Sequence, residues 1–65
     1  MEKGQLIRVR GYGGEELIRR LVRETDSTLV ICTEQEYEAA QREGREPRAV
    51  GFPKANLIAE MLSQR

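Results

Sequence analysis

Apolar and charged positions alternate in "LIRVR" (residues 6–10), with Ile7 and Val9 against Arg8 and Arg10 and Leu6 at the rim. Successive side chains of a strand point to opposite faces, so this pattern predicts a half-buried strand. "GYGG" (11–14) then stops it, because its glycines adopt positive backbone torsions at little steric cost. In "EELIRRLVRETDS" (15–27) the apolar residues come in pairs, Leu17 with Ile18 and Leu21 with Val22. Positions i, i+1, i+4 and i+5 form one face of a helix. The same pairs also suit a long, bent strand in which a bulge switches the face. Both readings stand on this pattern. The end of the segment favours the strand, because "RETDSTLVICT" (23–33) reads as strand, Asp-Ser turn, strand, with residues 28–33 rich in β-formers.

"TEQEYEAAQREG" (33–44) predicts a helix. Thr33 and Glu36 have the spacing of a capping box, and Glu34 and Glu36 suit the positive helix start. Glu38 and Arg42 stand four apart in the favourable order, and Gly44 followed by Pro47 marks the stop. The apolar stripe is thin, Tyr37 and Ala40 with Ala39 beside them, so the helix is expected to lie on the surface and cover an edge. Next, Ala49, Val50 and Phe52 suggest a short strand ended or kept at an edge by Pro53. "KAN" (54–56) suits one helical turn, and "LIAEML" (57–62) a final strand or short helix.

Gly51, Phe52, Pro53, Asn56, Leu57 and Ile58 make "VGFPKANLIAEML" (50–62) resemble the end of an SH3-type barrel. There a strand closes on Gly, an aromatic or aliphatic residue and Pro, one helical turn follows, and a last apolar strand completes the barrel. The resemblance implies a mainly β fold: a five-stranded SH3-like barrel built from "LIRVR", "LIRRLVRE", "STLVIC", "RAVGF" and "LIAEM", with the helix inserted between the third and fourth strands. If residues 15–24 are helical instead, the fold becomes a small α+β two-layer domain. The family's binding residues do not carry over. A proline-rich ligand needs an aromatic groove, and this chain has no Trp and only Tyr12, Tyr37 and Phe52, leaving Pro53 almost alone. A methyl-lysine cage needs clustered aromatics in the same way.

At 65 residues the chain is expected to form one domain, in which only about 60% of the unfolded surface is buried. A single core of this size supplies roughly 3–5 kcal/mol. Cys32 is the sole cysteine, so no intramolecular disulfide helps, and inside "TLVIC" it reads as a small core hydrophobe. With no histidine, zinc spacing is absent and no metal or cofactor is expected. Eleven basic residues balance 11 acidic ones, which weighs against a dedicated nucleic-acid binder. No apolar run approaches the ~18 residues of a membrane helix, and "MEKGQLIRVR" lacks the apolar heart of a signal peptide. A cytoplasmic protein without membrane contact is the expectation.

The glycine loop fails as a phosphate cradle. Gly11 and Gly13 match a dinucleotide fingerprint, but Glu16 stands at its third glycine, and the Glu15–Glu16 pair repels an anion. Catalysis lacks its parts as well. The commonest general base is missing, Ser27 and Ser63 have no evident base partner, and Glu34, Glu36 and Glu38 diverge by about 200° at each step of two on a helix. A non-enzyme is expected. The residues left for function are Arg8, Arg10, Tyr12, Arg19, Arg20 and Arg23. On strands, Arg8 and Arg10 share a face, Arg19 and Arg23 share a face of the next strand, and Arg20 points to the other. Such a stripe suits phosphate contacts, although Glu15, Glu16, Glu24 and Asp26 are equally placed to pair with it. The expected function is a small interaction module that binds another protein or itself, in the latter case as a homodimer. RNA or DNA binding through the arginines is the alternative.

Overall fold

The computed structural model describes residues 1–61. Leu62, where the C-terminal likeness ends, and Ser63 lie outside the described residues. Five strands, β1 (Leu6–Arg10), β2 (Glu16–Glu24), β3 (Thr28–Cys32), β4 (Val50–Pro53) and β5 (Leu57–Glu60), form one antiparallel sheet in the order β4-β3-β2-β1-β5. The single helix among the described residues, α1 (Glu34–Glu43), lies between β3 and β4, and a 3₁₀ turn, Lys54–Asn56, joins β4 to β5.

Residues 15–24 contain no helix: β2 is one strand of nine residues. Its first half pairs with β1 and its second half with β3. The two-layer α+β alternative is thereby overturned. The paired apolar residues are divided between two sides of the sheet. Leu17 and Leu21 belong with the core, Ile18 lies exposed on the far side, and Val22 is buried away from the main cluster. A bulge does the switching. Leu21 faces Ile31 and Arg23 faces Val30, which leaves Val22 as the extra residue.

The main core is one face of the sheet: Ile7, Val9, Leu21, Leu29, Ile31 and Phe52, with Leu17 and Leu57 packed against it. Val22, Cys32 and Ala40 are buried outside that cluster. They mark a second, thinner layer, where α1 rests on the opposite face. The helix therefore covers part of a face rather than an edge. Its thin stripe suffices because Ala40 lets the backbone come close and Tyr37 spreads over Arg20, whose guanidinium carbon lies 5.8 Å from the ring centre.

Local signals position these elements. Gly14, at φ +88°, closes the 11–15 turn, in which the Gly11 N–H donates to the Glu15 carbonyl at 2.7 Å. Thr25 closes the next turn, its N–H donating to the Thr28 carbonyl and its Oγ1 accepting from the Thr28 N–H. The Thr33 hydroxyl caps α1 by accepting from the Glu36 N–H at 3.0 Å. Only that half of the capping box forms. The Glu36 carboxylate turns away and accepts from Arg45 Nη1 at 2.6 Å and from the Arg48 N–H at 2.8 Å, fixing the strand-bound linker after the helix. Gly44 ends α1 in the left-handed region at φ +69°. Pro53 is the last residue of β4, a strand with a single ladder partner.

Candidate interaction surface

Directly opposed residues of an antiparallel ladder share a face. The register therefore assigns each arginine. Leu6 faces Arg20, Arg8 faces Ile18, and Arg10 faces Glu16 across β1 and β2, while Arg8 faces Ala59 of β5. All of these stand on the side opposite the core residues Ile7 and Val9. Arg19 faces Ile7 and so lies on the core side of the sheet, where its Nη1 donates to the Ile18 carbonyl. Arg20 faces Cys32 and Arg23 faces Val30, two positions along β3, so Arg20 and Arg23 share the outer face. The expected sharing of a face by Arg19 and Arg23 is thus corrected: the extra residue, Val22, shifts the alternation between them.

Four of the arginines reach one side, but they are not equally available. Arg20 is committed inside the chain. Its Nη1 donates to the Gly4 carbonyl at 2.7 Å and its Nη2 to Glu34 Oε2 at 3.3 Å. Its Nε is buried without a partner. It rivets the N-terminal turn and α1 to β2. Arg8 stands 3.8 Å from Glu16, an exposed pair of little energetic weight. Arg10 donates from Nη1 to the Gly14 carbonyl and steadies the glycine turn. Arg23 is exposed, and with Lys3 and Glu46 it rims a cleft of about 630 Å³ floored by Val22 and Val30. Tyr12 is 78% exposed at the turn, with its ring centre 5.0 Å from that of Phe52. The glycine turn itself leads into a strand, and the Glu15 carboxylate fills the space beside Gly11 and Gly13 where an anion would have to stand.

The outer face has two halves. Over the second half of β2, α1 sets Glu34 and Tyr37 on Arg20, and Cys32 is buried beside the start of the helix. The other half, over β1, the first half of β2 and β5, carries Leu6, Ile18 and Ala59. Ile18 is 40% exposed there, and Leu6 and Ala59 are half-buried. The Met61 N–H donates to the Leu6 carbonyl and extends this ladder by one residue. The sequence carried a signal for Ile18. Once 15–24 is a strand, one member of each apolar pair must leave the core, and of the two only Val22 is buried outside it.

Among the described residues no group of three or more His, Cys, Asp or Glu side chains is placed to hold a metal ion, and no helix is long and apolar enough to cross a membrane. No protein-family model, curated protein or solved structure matches this chain.

Proposed function

We propose that the chain is a small non-catalytic interaction module, an SH3-like barrel with one added helix, that binds protein through the open half of its outer face. The strand order β4-β3-β2-β1-β5 with a 3₁₀ turn before the last strand supports the barrel. The observation that carries the binding surface is Ile18, a large aliphatic side chain 40% exposed in the middle of a sheet face that α1 stops short of covering. Apolar surface left open beside charged residues is the composition of a docking site.

A photo-crosslinking residue in place of Ile18 tests this, with the same residue in place of Arg42 on exposed helix surface as the control. One discrete adduct from position 18, absent from position 42 and identified by mass spectrometry, is the expected result. No adduct at 18, or the same smear from both positions, refutes the surface.

The second reading is nucleic-acid binding. It draws on Arg8, Arg10, Arg20 and Arg23 sharing the outer face. Its prediction is affinity that falls with salt and weakens when Arg10 and Arg23 become Ala. Absence of binding at low salt ends it.

A further inference from the structure

We infer that the occupant of this open half-face is a second copy of the chain, docked about a two-fold axis that runs parallel to β1 and β2 and between them. The inference rests on the proposed interaction surface and names its partner.

A two-fold interface must be self-complementary: the patch that binds is also the patch that is bound. The open half-face meets that condition in its charges. Three β1–β2 ladder rows stand on this side, Leu6 beside Arg20, Arg8 beside Ile18 and Arg10 beside Glu16. A two-fold axis along the strands lays β1 of one copy over β2 of the other and keeps the rows in step. Arg10 then meets the partner's Glu16, and the partner's Arg10 meets Glu16. Arg8 lays its aliphatic stem over the partner's Ile18, and the same contact repeats on the other side. The other face-to-face arrangement, a two-fold axis across the strands at the Ile18 row, sets Arg8 against the partner's Arg8. Like charges juxtaposed in an interface are strongly unfavourable, so the charges select the first axis.

Two further observations favour a copy over an unrelated protein. The net charge is zero, so two copies meet without long-range repulsion. The main core holds six buried side chains and two partly buried neighbours, little for a chain of this length. Covering Ile18 and Leu6 of both copies adds apolar burial that one copy lacks, and association that only the folded state makes stabilises that state.

A charge exchange tests the geometry. Arg10→Glu sets Glu against Glu at both contacts of its own dimer, and Glu16→Arg sets Arg against Arg. Mixed together, the two variants form a heterodimer in which both contacts are again Arg with Glu. In sedimentation velocity across a dilution series, the wild type is expected to dimerise. Each variant alone should lose at least about tenfold in dimer affinity, and the equimolar mixture should recover it. Circular dichroism and melting confirm that each variant is folded. If a reversal unfolds the chain, the milder pair Arg10→Gln and Glu16→Gln is used, and each must weaken the dimer.

A wild type that stays monomeric at every concentration overturns the inference. So does dimerisation unaffected by the reversals, or a mixture that fails to recover. A monomer that still yields one foreign adduct from the crosslinker at position 18 removes the second copy and leaves the interaction surface standing. A monomer with no adduct removes both.

Discussion

Replacing Arg20 with methionine keeps an unbranched apolar stem over the sheet and removes only the guanidinium. The structure gives three interactions to lose. The bond from Nη1 to the Gly4 carbonyl, at 2.7 Å and part-buried, is charge-assisted and is worth about 1.5–3 kcal/mol. The Glu34 pair, at 3.3 Å with half of the glutamate side chain exposed, contributes about 0–1 kcal/mol. The approach to Tyr37, at 5.8 Å, sits near the outer limit of a cation–π contact and adds at most about 0.5 kcal/mol. Against these stands the buried, unpartnered Nε, whose removal returns about 1 kcal/mol or more. The net expectation is a loss of about 1–3 kcal/mol. For a domain of this size each kcal/mol lowers Tm by about 4–8 °C. Urea unfolding at fixed protein concentration reads the loss as a lower midpoint with an unchanged slope. Arg23→Met is the control. Its side chain is exposed and makes no ion pair among the described residues, so its midpoint should stay within about 0.5 kcal/mol of wild type. If Arg20→Met melts with the wild type, or if both variants lose equally, Arg20 does not rivet the N-terminal turn and α1 to β2.

Two further perturbations address the helix and its exit. The Arg45 guanidinium, and after it the Arg48 N–H, hold the Glu36 carboxyl down at about 2, from an ordinary 4.5. A carboxyl depressed in the folded state stabilises fully above its ordinary range, and the contribution is lost as pH falls from about 4.5 towards about 2. The urea midpoint of wild type should therefore exceed that of Glu36→Gln at neutral pH, with the gap closing across that window; a gap constant down to its lower end contradicts the assignment. Gly44→Ala should cost about 1–2 kcal/mol, because φ is +69° and nothing lies within 4 Å of the added Cβ, so the whole penalty is torsional. Gly44→Asn should cost less, and an asparagine worse than alanine in thermal melting speaks against a left-handed cap.

Features fixed by near neighbours were legible in the string of residues itself. Glycines 11, 13 and 14 announced the first turn, Thr33 and Gly44 announced the two ends of α1, and the alternation of Ile7 and Val9 with Arg8 and Arg10 gave β1 its core side. What escaped was set by partners far along the chain. Val22 is the bulge residue only because β3 pairs with Leu21 and Arg23. That displacement decided which arginines share a side. Glu36 looks like the second half of a capping box, yet it bonds to groups nine and twelve residues on. Arg20 looks as free as Arg19 in the string "IRR", and its acceptors, Gly4 and Glu34, are 16 and 14 residues away. Apolar count alone could not show that α1 would roof half of a face. That depended on Glu34 and Tyr37 landing on Arg20, which left Ile18 as the open position.

Cys32 is 5% exposed on the side of the sheet that α1 roofs, and burial, with the Glu36 charge second, pushes its thiol up. The chain thus contains a single sulfhydryl placed beneath its one described helix. Alkylation by a small neutral reagent must wait for that helix to lift, whether or not the strands below stay zipped. The ratio of this labelling rate to the rate in urea measures the free energy of undocking α1. It separates the hold of the roof from the cohesion of the walls, two quantities that a melting curve reports as one.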